Sequence, residues 1–256
     1  MSQAVGHIEI LPDPLVLAHH VAEWMTEAAT AGQGPFRVSL SGGSTPKTLY
    51  GLLASDEFRD RFPWQRVSWY WGDERFVPYD HPESNFRMAR EAMLAKAPVP
   101  RENIHPIPTD GTPEDAARRY ERTLQQTYGA ATLDPHRPLF DVTLLGLGPD
   151  GHTASLFPGE ATLDERKRWV AAVSHGRPEV RITMTYPVLE SSRRVAFLVA
   201  GEEKTAIFAA IRNGGSRVPA ARIRPVGELL WFVDQAAAGE GRVVGQTSAR
   251  SQRHLN

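Results

Sequence analysis

Phe36-Arg37-Val38-Ser39-Leu40 is a short apolar run that empties into Ser41-Gly42-Gly43-Ser44-Thr45-Pro46 and then into the helix-like Lys47–Ala54. A strand, a glycine turn and a helix in that order form a βα unit. Repeated along a chain, the unit predicts an α/β protein: a Rossmann-like, mostly parallel sheet with helices on both faces. Here it recurs. Further strands are expected at Val67–Trp71, Phe140–Gly146, Trp169–Val173, Val195–Ala200 and Leu230–Val233. Helices are expected at Leu15–Ala29, Asn85–Lys96, Pro113–Tyr128 and Glu202–Arg212, while Ala97–Pro108 and Gly129–Pro138 read as loops. Four strands run into glycine-bearing turns: Ser41-Gly42-Gly43, Gly72-Asp73, Gly146-Leu147-Gly148 and Gly201. Ligands of open parallel sheets bind beyond the carboxyl ends of the strands, so these turns are expected to meet at one edge.

Residues 1–238 read as a single α/β domain, since no solenoid-period repeat or linker divides them. The polar, small-residue-rich stretch 239–256 is expected to fray. Lys plus Arg (29) nearly balances Asp plus Glu (30), so no overall field favours nucleic acid or an anionic membrane. The chain has no cysteine, which excludes disulfides, thiolate metal sites and cysteine nucleophiles together and fits a reducing compartment. The N-terminal MSQAVGHIEILPDP lacks a basic region followed by an apolar run, and no apolar stretch approaches the ~20 residues of a membrane helix. A cytoplasmic protein is expected. Nothing marks a large apolar interface, so a monomer is expected too.

In Ser41–Pro46 the two glycines permit a tight turn, Ser44 or Thr45 suits a helix cap, and Pro46 suits the first helical turn. Free N–H groups at a helix start make an anion site from Gly42, Gly43, Ser44 and Thr45. On its own the segment reads slightly better as an ordinary capped turn. Lys204 tips the balance. In Gly201-Glu202-Glu203-Lys204 it is expected in the first turn of a helix, where a cation is unfavourable unless an anion is near or a glutamate neutralises it. Arg181 alternates with apolar neighbours in Val180-Arg181-Ile182-Thr183, as in a strand, and its planar fork suits phosphate.

Gly146-Leu147-Gly148-Pro149-Asp150-Gly151-His152 formally matches a dinucleotide fingerprint, but Pro158-Gly159 cuts short the helix that motif requires. The next expected strand also ends in Ser174-His175 rather than in an acid for a ribose. What remains is a histidine in a glycine-rich turn with a carboxylate, Asp150, two residues before it. A histidine titrates near neutrality, which suits a general base acting on water. Ser155 lacks the Gly-x-Ser-x-Gly elbow of a nucleophile, and the nine histidines show no metal-ligand spacing. After Val67–Trp71 comes Gly72-Asp73-Glu74-Arg75. There Asp73 suits orientation of hydroxyls or of a catalytic partner, and Arg75 suits stabilisation of a negative carbonyl oxygen. A solvated Asp–Arg pair is the plain alternative.

Together SLSGGSTP (Ser39–Pro46), WGDERFVP (Trp71–Pro78), SNFRMA (Ser84–Ala89), LLGLGPDGHTASLFPG (Leu144–Gly159), RITMTYPVL (Arg181–Leu189) and VAGEEKTAI (Val199–Ile207) resemble the 6-phosphogluconolactonase family. The resemblance spans about residues 36–235. It implies a sheet of the type shared with glucosamine-6-phosphate deaminase and ribose-5-phosphate isomerase. It also implies hydrolysis of 6-phospho-D-glucono-1,5-lactone to 6-phosphogluconate, the second step of the oxidative pentose phosphate pathway, with no cofactor or metal. By motif, His152 would activate water, Asp73 and Arg75 would be active-site residues, and Gly43, Ser44, Arg181 and Lys204 would hold the 6-phosphate.

Two rivals stand beside this reading. An amino-sugar-6-phosphate isomerase or deaminase would carry Asn-Glu-Pro-Gly after the histidine segment. This chain has Leu156-Phe157-Pro158-Gly159, with phenylalanine where the glutamate is expected. A sugar-phosphate-sensing regulator would need an attached DNA-binding segment, and the first 35 residues hold one helical stretch and no basic helix-turn-helix pattern.

Overall fold

The computed structural model describes residues 6–174 and 178–240. Strand β1 (His7–Leu11) leads into α1 (Pro14–Thr30), whose start is capped by the Asp13 carboxylate accepting from the N–H groups of Leu15 and Val16. Then follow β2 (Phe36–Leu40), α2 (Ser44–Leu53), β3 (Val67–Trp71), the short β4 (Asp73–Arg75), α3 (Asn85–Ala89), β5 (Ile104–His105) and α4 (Pro113–Tyr128). The second half runs β6 (Phe140–Gly146), β7 (Val170–Val173), β8 (Arg181–Met184), α5 (Tyr186–Glu190), β9 (Ser192–Val199), α6 (Thr205–Arg212), β10 (Glu228–Asp234) and α7 (Gln235–Ala238). Of the tail 239–256 expected to fray, Gly239 and Glu240 are held at the end of α7, with Glu240 N–H donating to Gln235 C=O, and the remainder lies outside the described residues, as does His175.

Seven strands form one parallel sheet in the order β1-β10-β9-β6-β2-β3-β5. The chain leaves β2 towards β3 and β5, but leaves β6 the other way, towards β9 and β10. β2 and β6 therefore flank a topological switch point. Their ladder is also short. It holds Val38 against Val142 and Ser39 against Thr143, whereas β2–β3 pairing continues to Leu40 and Trp71, and β6–β9 pairing to Gly146 and Leu198. The two strands part at their carboxyl ends, and a crevice opens between the turns that follow them.

The sequence pattern misplaces one strand. Trp169–Val173 reads as a member of the main sheet. Its residues form instead the outer strand of a separate antiparallel sheet, β4-β8-β7. An apolar run reports burial but not its cause. Here α4 provides the cover: Glu121 accepts from the N–H groups of Trp169 and Val170, and Tyr128 packs edge-on to Trp169. β4 and β5 are too short to show a period of their own, β5 lies inside the expected loop Ala97–Pro108, and β1 is not among the expected strands.

The core is rich in buried aromatic side chains. Trp231 stacks on Phe197 across β9 and β10 with ring centroids 4.0 Å apart. Tyr120 ties a helix to a strand end, its hydroxyl accepting from Trp71 N–H and donating to Trp71 C=O. Asp234, 1% exposed, ends β10 and accepts from Gly201 N–H at 3.1 Å and Ala237 N–H at 2.7 Å. It thus caps α7 and fixes the turn after β9. Asp234→Ala leaves both donors buried without an acceptor, and is expected to cost about 2–3 kcal/mol. Thermal melting should show this as a Tm lowered by roughly 4–12 °C, largely recovered in Asp234→Asn.

Candidate active site

The crevice is a cleft of about 270 Å³. It collects the turns after β2, β6 and β9 together with Asp73, Arg75, Asn85, His152 and Arg181. Gly42, Gly43, Ser44, Thr45 and Lys204 all line it. The convergence expected from the glycine turns is therefore what the fold produces.

The helix start differs from expectation in one respect. Neither Ser44 nor Thr45 caps α2: Gly43 does, at φ +108, and no side chain accepts its first N–H groups. The physical reason is that α2 begins three residues earlier than the pattern suggested, so Ser44 and Thr45 lie within the first turn. The N–H groups remain free to meet an anion. The turn itself is pinned from beneath. The buried Tyr50 hydroxyl accepts from Ser41 N–H at 3.0 Å and donates to Ser41 C=O at 2.8 Å.

Lys204 closes a tight 3₁₀ turn, Glu202–Lys204, ahead of α6. Its ammonium lies 3.7 Å from Glu203, so the expected neutralising glutamate is present. A half-exposed pair of this length stabilises little, and Lys204 still lines the cleft. Across the β4–β8 ladder Arg75 stands directly opposite Arg181, and Asp73 opposite Thr183. Directly opposed residues share a face of an antiparallel pair, and like charges there are destabilising. Two arginines therefore stand side by side at the wall of the cleft. Arg75 is steadied by donating to Glu83 C=O at 2.6 Å. Among the described residues the cleft is lined by three cations, Arg75, Arg181 and Lys204, and two carboxylates, Asp73 and Glu203.

The loop after β6 holds one imidazole in place. Gly148 N–H donates to His152 C=O, Gly151 N–H donates to Gly148 C=O, and Thr153 Oγ1 donates to Gly146 C=O. His152 Nδ1 lies 2.5 Å from Asp150 Oδ1, and Phe157 packs at 4.8 Å from the ring. A Cβ on Gly148 would sit 2.0 Å from His152 Nδ1, so only glycine leaves the imidazole its position. Burial pushes the Asp150 carboxyl up, but its hydrogen bonds from His152 outweigh that and hold it below the usual range. An ionised Asp150 accepts the Nδ1 proton and leaves Nε2 as the basic nitrogen. Ala154, next along, adopts φ +48, a strained conformation of the kind found at functional sites.

Several residues of the site escape a sequence reading. Ser155 is no exposed nucleophile: it is buried, with Oγ donating to Asp73 Oδ2 at 2.6 Å and N–H donating to Thr183 Oγ1. Asn85 donates its amide to Asp73 C=O at 3.0 Å and lies where a Cβ on Gly42 would be. Glu74, 1% exposed, turns away from the cleft, and burial pushes its carboxyl up to about 7 against three backbone N–H groups that favour ionisation. None of these residue types carries a motif by itself. Among the described residues no group of three or more His, Asp or Glu side chains could hold a metal ion, and no helix is long and apolar enough to cross a membrane.

Residues 12–231 match the sequence model of the glucosamine-6-phosphate isomerases/6-phosphogluconolactonase family. A 6-phosphogluconolactonase from Nostoc sp. is 42% identical over 241 residues, covering 91% of this chain and 97% of its own. The crystal structure of a 6-phosphogluconolactonase from Thermotoga maritima is similar at 30% identity with a TM-score of 0.76, over 89% of this chain and 99% of its own. A monomeric glucosamine-6-phosphate deaminase shares the fold at 18% identity with a TM-score of 0.77, over 92% of this chain and all of its own.

If the opposed arginines and free N–H groups form an anion site, inorganic phosphate should raise Tm beyond chloride at matched ionic strength. Arg181→Ala is expected to weaken phosphate binding by about tenfold or more, the loss of a charge-assisted hydrogen bond worth roughly 1.5–3 kcal/mol. Titration calorimetry would check it; undiminished binding would remove Arg181 from the anion site.

Proposed function

The chain belongs to the glucosamine-6-phosphate isomerase/6-phosphogluconolactonase family, and from that premise we propose that it hydrolyses 6-phospho-D-glucono-1,5-lactone to 6-phospho-D-gluconate. The observation that carries the reading is the Asp150–His152 pair held at the same cleft as the glycine cradle, Arg181 and Lys204. A base for water and a seat for phosphate face one small space.

The chemistry follows from those positions. Gly42, Gly43, Ser44 and Thr45 offer N–H groups to the 6-phosphate, and Arg181 and Lys204 supply its countercharge. Anchoring the phosphate brings C1 of the lactone to the imidazole and lowers the entropic cost of the encounter with water. His152 Nε2 takes a proton as the water oxygen bonds to C1. The carbonyl oxygen gains negative charge, which Arg75 and loop N–H groups stabilise. The C1–ring-oxygen bond then breaks, and the departing oxygen takes the proton back from the imidazolium to become the free hydroxyl. Asp150 keeps the imidazole in the required tautomer, and Asp73, oriented by Ser155 and Asn85, reads a sugar hydroxyl. A δ-lactone is a reactive ester, so this sequence needs neither a covalent nucleophile nor a metal. The proposal includes a monomer acting in the cytoplasm.

Ring-opening isomerisation of an amino sugar phosphate needs a further carboxylate near the base. The group packed against His152 is Phe157, 1% exposed, which favours the lactonase over that alternative.

The lactone, generated in situ, would be followed by stopped-flow proton release with and without EDTA. Acceleration that survives the chelator is expected. His152→Ala should lower kcat by about 10²–10⁴-fold with affinity for 6-phosphogluconate retained. Gly148→Ala, which pushes the imidazole aside without touching the cradle, should lower kcat in the same direction. A His152→Ala protein with full turnover would remove the base from the mechanism.

A further inference from the structure

Glu74 is buried, titratable and unused by the chemistry just described, yet its carboxylate is saturated with hydrogen bonds. Oε1 accepts from the N–H groups of Arg75 and Asn85, each at 2.8 Å. Oε2 accepts from Phe86 N–H at 2.8 Å and from Ser84 Oγ at 3.1 Å. Ser84 Oγ in turn accepts from Arg87 N–H at 3.1 Å, and Ser84 C=O from Met88 N–H. The opening N–H groups of α3 are thus all satisfied, the first two by a side chain from another element.

The strand geometry explains why this matters to the cleft. Successive side chains of a strand point to opposite faces. Asp73 and Arg75 share the face that looks into the cleft, opposite Thr183 and Arg181, and Glu74 between them faces the buried side, opposite Ile182. One carboxylate therefore grips the backbone of Arg75 and the backbone of Asn85 at once. Asn85 carries the constraint onward, donating to Asp73 C=O and packing against Gly42 of the cradle. Strand β4 and helix α3 meet at Glu74, and Asn85 extends the contact to the turn at Gly42.

We propose that Glu74 is a positioning residue of this site, whose carboxylate sets the relative placement of Asp73, Arg75 and Asn85. It acts through them and touches no substrate. The inference rests on the lactonase reading for its kinetic test, though not for its structural one.

Glu74→Gln is nearly isosteric. Its amide nitrogen cannot accept a hydrogen bond, so Phe86 N–H loses its partner while the volume is conserved. A shift of these groups by a fraction of an ångström is expected to lower kcat by about ten- to a hundredfold, with KM little changed. Val21→Ala, a small cavity in α1 remote from the cleft, serves as the control for stability. At equal loss of Tm it should retain wild-type kcat. Hydrogen exchange read by NMR should show faster exchange at the Phe86 amide in Glu74→Gln. Unchanged kcat in Glu74→Gln, or an equal loss of kcat in Val21→Ala, would overturn the proposal. Should Glu74→Gln not fold, Ser84→Ala removes one of the four donors and should lower kcat more mildly, and normal turnover there would overturn the proposal as well. A wild-type protein inactive on the lactone would refute the proposed function alone. The amide-exchange comparison would then decide the role of Glu74, with an unaltered Phe86 amide counting against it.

Discussion

Strands β2 and β6 stay paired for only two residues before they part, and the site grows from that separation. Had the ladder run on to Leu40 and Leu144, the turns Ser41–Thr45 and Gly146–Gly148 would have closed on one another. Instead each strand follows its outer neighbour, β3 or β9, and the sheet splits at the point where its winding reverses. A crevice at a switch point is a property of topology, and it is present before any side chain is considered.

The small antiparallel sheet turns that crevice into a charged site. β4 leaves the main sheet straight after Gly72 and pairs with β8, so Asp73 and Arg75 meet Thr183 and Arg181 along one wall. Like charges placed directly opposite one another are an electrostatic cost to a strand pair. A protein can carry such a cost where the surrounding packing over-determines the geometry, and here it does. Ser155 holds Asp73 from one side and Thr183 from the other, Asn85 braces Asp73 from below, and Tyr50 fixes Ser41 across the gap. The site is preorganised by hydrogen bonds from hydroxyl, amide and backbone groups more than by ion pairs.

The imidazole is set by a different device. Gly148 removes the side chain that would displace it, Phe157 supports its face, and Asp150 fixes its tautomer. Three short-range constraints inside a dozen residues determine where one nitrogen points. In the proposed mechanism the local loop carries the catalytic precision, and the long-range sheet contacts carry substrate positioning. Changes to one can therefore leave the other largely intact.

The amino-acid sequence by itself determined the units of this protein. β2, β3 and β6 can be read to the residue because each is a short, predominantly apolar run that ends at a glycine turn. The cradle Ser41–Pro46 and the pair Asp150–His152 can be read as well, because each lies within one loop and sequence neighbours are spatial neighbours there. Tertiary structure alone decided the rest. It put Trp169–Val173 into the second sheet, brought Arg75 beside Arg181 across more than a hundred residues, and made Ser155 a partner of Asp73. It also buried Glu74 against the start of α3. Those outcomes depend on pairing and packing between distant segments, where residues as ordinary as serine, asparagine and glutamate gain a role only from the groups that the fold sets opposite them.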